Sequence, residues 1–246
     1  MRKIISGILL LAFSLGAAAQ SLPSFEELKD KAEAHSRQVK EIDFVLLDYI
    51  GYGFHGIYDA DPLFGEHTAF LRNREIYFNL AGLVLRPLAS EHHAITLGVD
   101  LDWDNYRLDP GHMWVPEGQA VRIAPIAEEG IKSVDRSILR VLSFDIPLDY
   151  TLSSDSFAVT IGAAAQISLP GRTRFVGNDL NDSEIRNLKS GPYRATDIRT
   201  NKVTWNAHAQ ITFDHFGIYG KFSPQPVFQD GYGPQFPTWT VGLILR

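Results

Sequence analysis

The sequence predicts an all-β chain, an eight-stranded antiparallel up-and-down transmembrane β-barrel with a short N-terminal periplasmic helix. Three observations lead there. Short segments alternate apolar and polar residues up to the end of the 246-residue chain, the mark of strands with one apolar and one polar face. The links between them alternate short and long, as in barrels with turns on one rim and loops on the other. Aromatic residues gather at strand ends, where amphipathic rings sit at a membrane–water interface.

The first element is an export signal. Arg2 and Lys3 precede an apolar stretch over 4–15, and Ala17-Ala18-Ala19 supplies an A-x-A cleavage pattern, so residues 1–19 are expected to be removed before Gln20. The stretch is shorter than the ~20 residues of a spanning helix, and no later segment is apolar enough for one, which excludes a helical inner-membrane protein. Residues 20–40 offer Ser24 as an N-cap with Glu27 three positions on, a capping box. They read as a polar periplasmic lead-in helix, with a plug inside the barrel as the alternative. The barrel itself is assigned to 41–246.

The strands follow in order. The first two, around 44–54 and 76–86, are less regular. The third sets His93, Ile95, Leu97, Val99, Leu101 and Trp103 against Ala94, Thr96, Gly98, Asp100, Asp102 and Asp104. The fourth sets Leu142, Phe144, Ile146, Leu148 and Tyr150 against Ser143, Asp145, Pro147 and Asp149, and the fifth runs from Phe157 to Ile167. In the sixth, Val203, Trp205, Ala207, Ala209, Ile211 and Phe213 oppose Thr204, Asn206, His208, Gln210 and Thr212. The seventh spans 216–222, and the eighth carries Trp239, Val241, Leu243 and Leu245. Links 87–92, 151–156 and 214–215 are short. Links 56–74, 105–136, 170–201 and 226–235 are long and hold the glycines, prolines and charges of exposed loops.

Period two fits a soluble, lipocalin-like barrel equally well. Three further features orient it. The apolar face is nearly uninterrupted over five strands, while the other carries Asp100, Asp102, Asp145, Asn206, His208 and Gln210, as lipid outside and a polar lumen require. With strand one rising outward, Trp103, Trp205 and Trp239 fall at the outer rim. Tyr150, Phe157, Phe213 and Phe216 fall at the periplasmic rim, giving two aromatic girdles. The last strand can pair with the first and close the sheet without a free edge.

Near the C-terminus, Tyr219-Gly220-Lys221-Phe222-Ser223-Pro224, then Gly233-Pro234 and Gly242-Leu243-Ile244-Leu245, resemble the closing hairpin of a broad family of small bacterial outer-membrane β-barrel proteins, mostly of unassigned function. The resemblance implies a porin-like fold in the outer membrane of a Gram-negative cell envelope, with outer-membrane lipids and lipopolysaccharide around it and barrel-assembly machinery during biogenesis. The chain departs from the pattern by ending on Arg246 where many such proteins end on an aromatic residue. A monomer is expected.

The net charge of -6 and the lack of a basic run exclude nucleic acid as a partner. The absence of cysteine removes disulfides, zinc–cysteine sites, thiol catalysis and lipoprotein attachment, and no cofactor or metal is expected. Asp100, Asp102 and Asp104, with Asn105 and Asp109, faintly resemble a calcium loop. Asn105 and Gly111 stand where glycine and glutamate are needed, and alternate strand residues lie about 7 Å apart, too far to share one ion. These acids, with Asp145, Asn206, His208 and Gln210, are expected to form a buried network with Lys221 and Arg246, plugging a lumen only wide enough for side chains. Tyr106, Trp114 and Phe175, mixed with Arg107, Arg122, Arg172 and Arg174 in the loops, offer a surface for lipopolysaccharide phosphates or a partner. His208 as a base and His92-His93 as a metal pair lack identifiable partners.

The function expected is structural or surface-interactive, without enzymatic activity. One alternative is a lipid A-modifying acyltransferase or deacylase using His55, His67 or His112 with Ser133 or Ser137 near the outer rim. A small pore is the other, and eight strands seldom leave room for one.

Overall fold

The computed structural model describes residues 39–68, 70–87 and 92–246. The expected leader lies outside the described residues, as does the expected lead-in helix except its last two positions, which already open a strand. In chain order the strands are β1 (Val39–Leu46), β2 (Ile50–Ile57), β3 (Arg74–Pro87), β4 (His93–Arg107), β5 (His112–Glu117), β6 (Ala120–Pro125), β7 (Ile131–Ser153), β8 (Ala158–Ser168), β9 (Arg172–Asp179), β10 (Glu184–Arg186), β11 (Val203–Phe213), β12 (Phe216–Ser223) and β13 (Thr238–Leu245). A five-residue helix, α1 (Pro62–Glu66), stands between β2 and β3.

Eight of these strands make a closed ring in the order β2, β3, β4, β7, β8, β11, β12, β13, every pair antiparallel. The ring shuts where β13 pairs with β2, from Leu245↔Ile50 to Thr238↔Ile57. All eight expected strands are present. The irregularity of the first has a local cause: Leu47, at φ 50°, breaks it into β1 and β2, both laid on β3. Opposite the break, β3 carries a bulge between Asn79 and Ala81, and the Asn79 side chain accepts the Asp48 amide.

Burial is inverted relative to a soluble barrel. Leu148, Ile161, Ile211, Ile218, Val241 and Leu243 face outward, and Leu243 is 61% exposed. Asp100, Asp102, Asp145, Asn206, Gln210 and Lys221 point inward and are buried. An apolar exterior around a polar lumen is stable only where the solvent is lipid, because apolar surface of this extent in water would be unfavourable on every strand. Trp103, Trp205 and Trp239 lie exposed towards the loop end, and Tyr150, Phe157, Phe213 and Phe216 towards the turn end. Along β11, Trp205 and Phe213 are eight residues apart. At ~3.4 Å per residue on strands inclined by about 40°, that is roughly 20 Å of apolar height, close to the band of a spanning barrel. At the turn end Phe213 lies against Phe216, ring centroids 5.6 Å apart.

The long links are not the open loops expected over 105–136 and 170–201. β4 and the 23-residue β7 run on past the outer girdle, and the upper half of β7 leaves β8 to pair with β9. Together with the β5–β6 hairpin they build a cap with its own core. One cluster joins Phe64, Tyr106, Trp114, Leu139, Phe228 and Phe236, and a second joins Met113, Phe175 and Tyr193. Tyr106, Trp114 and Phe175 are therefore interior: Trp114 donates its indole N–H to the Tyr106 carbonyl at 3.1 Å, and Phe175 is fully buried. These three aromatics cannot form the loop surface expected of them. Segments this rich in glycine and charge read as loops because a packed cap needs only a few apolar anchors from each, spread over four links.

Candidate functional site

The site is the barrel lumen, built by inward positions of β2, β3, β4, β7, β11, β12 and β13. At its centre stands Lys221 of β12. Its Nζ donates to Glu75 Oε1 at 2.6 Å and Asp102 Oδ2 at 2.5 Å, and lies 3.7 Å from Asp145 Oδ2. The ammonium also sits 4.7 Å from the centre of the Tyr77 ring. Asp145 accepts from Asn206 Nδ2 at 3.0 Å.

Towards the cap, His55 of β2 bridges Asp104 through Nε2 at 2.8 Å and Thr240 through Nδ1 at 2.8 Å, with its ring stacked on Tyr106. Towards the turns, Asp100 accepts from Tyr77 Oη and Asn79 Nδ2, both at 2.8 Å, and Tyr77 Oη meets Tyr49 Oη at 2.7 Å. His208 Nε2 pairs with Asp149 at 2.8 Å, and its Nδ1 faces Asn206 Oδ1 at 3.2 Å. Tyr219 fills the space beside β2 and β13, where a Cβ on Gly53 or Gly242 would collide with its ring. These glycines serve close approach, not turning.

The sequence-expected members Asp102, Asp145 and Lys221 are thus brought into contact, with Asn206 on Asp145. Asp100 joins through Tyr77, whereas His208 forms a separate pair with Asp149. Gln210 is buried in the same lumen. Arg246 does not join: it follows the last ladder pair and turns to Asp48 at 3.2 Å, on the turn rim. Glu75 and Tyr77 were missed, and His55, expected near the outer rim as a candidate for lipid chemistry, is instead buried in the lumen on Asp104. Their signal was the phase of β3 and β2, where Glu75, Tyr77 and Asn79 alternate with Ile76 and Phe78, and His55 continues the row of Gly51 and Gly53.

Five buried acids, Glu75, Asp100, Asp102, Asp104 and Asp145, face Lys221 and His55, so the lumen is short of positive charge. Among the described residues, Glu75 Oε2, Asp102 Oδ1 and Asp145 Oδ1 meet no protein hydrogen-bond donor, and such groups are costly unless water, a proton or a cation meets them. A cavity of about 30 Å³, lined by His55, Asp102, Asp104, Tyr106, Ser143 and Lys221 among others, separates the network from the cap. That is room for about one water.

His55, Glu75 and Asp104 present ligand atoms within 4.8 Å of one another, as do His67, Asp109 and His112 in the cap. One or two imidazoles with carboxylates suit a borderline divalent ion such as zinc. In the cap trio, Asp109 bonds His67 Nδ1 at 3.1 Å and His112 Nδ1 at 2.9 Å, while the two rings stack with centroids 3.4 Å apart. Partial burial pushes the Asp109 carboxyl up, but His112, the Gly111 amide and His67 together hold it below its ordinary value. Arg122 is paired with Glu117 and Glu129, each at 2.6 Å.

The chain is a membrane-spanning β-barrel filled by its own side chains. No family model matches it, and no curated protein matches it. Among solved structures it is similar to Ail, the attachment invasion locus protein of Yersinia pestis, at 10% identity and a TM-score of 0.32, covering 83% of this chain and 96% of that one. A superposition this loose adds nothing to what the strand ladder itself shows.

Proposed function

We propose that the protein is an exported outer-membrane barrel, monomeric and non-enzymatic, that acts as a structural or surface-interaction element through a rigid outer platform. The observation that carries this reading is the cap: a packed aromatic core, with Phe64, Phe228 and Phe236 fully buried, standing over a lumen already occupied by the Lys221 network. A channel needs a water path and a lid that yields; a presented surface needs rigidity.

Among the described residues, no hydrogen bond joins the histidines proposed for lipid chemistry to Ser133 or Ser137. His55, His67 and His112 each bond a carboxylate, and Ser137 accepts the Trp114 amide at 2.8 Å. A serine nucleophile would need one of these rings within hydrogen-bond reach.

The test uses intact cells and reconstituted protein. Lys132 and Lys189, both exposed on the cap, should react with a membrane-impermeant amine reagent before lysis, and planar bilayers should show no unitary conductance. Labelling only after lysis would overturn the outward cap, and stable conductance steps would make the protein a pore. A lipid A mass spectrum that changes with the gene would favour the acyltransferase or deacylase reading.

A further inference from the structure

The outer face of β3, β4, β7 and β9 changes character over three successive rungs of the ladder. The first carries Ile76, Trp103 and Leu142, joined by the registers Ile76↔Trp103 and Trp103↔Leu142, and belongs to the apolar band. The next rung outward reads Arg74, Asn105, Arg140 and Arg172 across the four strands. The one after reads Arg107, Ile138 and Arg174, and Arg136 follows on β7.

Strand alternation puts these arginines on the lipid side of the sheet. Trp103 and Phe144 are exposed outward, so Asn105, Arg107, Leu142, Arg140 and Ile138 share their face. Thr173 and Phe175 are buried inward, which turns Arg172 and Arg174 out. Within the patch Ile138 keeps only 6% of its surface exposed.

Among the described residues, none of these six arginines has a salt bridge to a carboxylate. Arg107 Nη2 reaches the Asp135 carbonyl at 3.4 Å, and Arg140 lies 5.7 Å from the centre of the Trp103 ring. Arg140 Nε and Arg174 Nε are buried without a hydrogen-bond partner. Like charges on adjacent strands oppose folding, and this patch stands on a chain of net charge -6.

We infer that this arginine face binds the phosphate groups of lipopolysaccharide in the outer leaflet. The inference rests on the outer-membrane location proposed above. Guanidinium groups grip phosphate oxygens through paired N–H donors. At ~4.8 Å between strands and ~7 Å between like-facing residues, the patch is about 14 Å wide and 14 Å tall, enough for two phosphates. Its height selects the ligand's form. The apolar rung of Ile76, Trp103 and Leu142 directly below offers a surface for acyl chains, so an anionic amphiphile fills both halves and a free anion only one.

The experiment uses the full chain, folded in detergent, with binding to purified lipopolysaccharide followed by co-migration and titration. The triple variant Arg107→Gln, Arg140→Gln and Arg174→Gln should bind at least tenfold more weakly, and dephosphorylated lipopolysaccharide should bind native protein equally poorly. Affinity for intact lipopolysaccharide should fall with added salt, and inorganic phosphate should not compete at millimolar concentration. Arg122→Gln, whose partners are Glu117 and Glu129, should bind as the native chain does. Heat-modifiable migration of every variant confirms that the barrel is folded. Equal affinity of the folded triple variant would overturn the inference, as would competition by inorganic phosphate alone, which would mark a site for free anions. Cell fractionation tests the location separately: a chain outside the outer membrane refutes the proposed function whatever the binding result.

Discussion

Replacing Lys221 with methionine keeps an unbranched side chain of similar length while deleting the ammonium that meets Glu75 at 2.6 Å, Asp102 at 2.5 Å and Asp145 at 3.7 Å. All four groups are buried, so solvent does not screen the loss. Breaking one partner of a buried charge pair costs about 3–5 kcal/mol, because the remaining charge has no compensation. A factor of ten in an equilibrium constant is about 1.4 kcal/mol, so the fraction unfolded should rise roughly 100- to 5,000-fold. Urea titration of the chain in lipid vesicles measures this, with tryptophan fluorescence and heat-modifiable migration as independent readouts. The companion variant Lys221→Met, Glu75→Gln, Asp102→Asn removes the stranded charges as well, and should recover more than half of the loss. A loss below about 1 kcal/mol in the single variant, or no recovery in the triple, would refute the view that charge compensation holds the lumen together.

Three further perturbations probe other parts of the molecule. Asp100→Asn combined with Asp145→Asn should lower the temperature at which the folded band disappears in heat-modifiable migration, since Tyr77, Asn79 and Asn206 all donate to these carboxylates; an unchanged temperature would show that the network is dispensable. Ile161→Arg places a charge on the lipid face of β8, where Ile161 is 57% exposed, and should cost about 2–4 kcal/mol near the bilayer midplane; a cost near zero in vesicles would argue that this face meets water. Asp109 has a depressed folded-state pKa, so its contribution to the cap is present above the unfolded carboxylate value and is lost as pH falls through the folded one. Acidification through the carboxylate range should therefore lower the hydrogen-exchange protection factors of the Asp109 and His112 amides, taken relative to the intrinsic rate at each pH, and Asp109→Asn should abolish that loss of protection; protection factors that do not change with pH in the native chain would refute the role of this carboxylate.

The barrel was legible from sequence because its information is local. A strand in lipid must alternate, and Val203 to Phe213 does so without a break, so both its boundaries and its facing follow from the chain itself. The same local rule placed Trp103, Trp205 and Trp239 at one rim and Phe213 and Phe216 at the other. It weakened where the backbone departs from regular pairing: at Leu47 the strand splits, and the inward row of Glu75, Tyr77 and Asn79 was hard to phase beside a bulge.

Lumen partners were only half readable. Facing identified Asp102, Asp145 and Lys221 as inward, but which acids Lys221 meets depends on barrel shear, a property of ring closure and of no single strand. Arg246 shows the limit, since its phase pointed inward while the end of the ladder at Leu245 left it free to reach Asp48.

The cap and the arginine face lie wholly on the tertiary side. Tyr106, Trp114 and Phe175 carry no periodicity that separates a buried anchor from an exposed loop residue, and only the packing of four distant links makes them a core. Arg74, Arg107, Arg140 and Arg174 are scattered over a hundred residues, and only the pairing of β3, β4, β7 and β9 gathers their charges above Trp103. Alternation along a strand is dictated by backbone geometry, whereas neighbourhood across strands is created when the sheet closes. For that reason local alternation was enough to specify a lipid-facing barrel of eight strands, while what seals it and which side chains its outer rim presents emerge only when the strands pair and the ring closes.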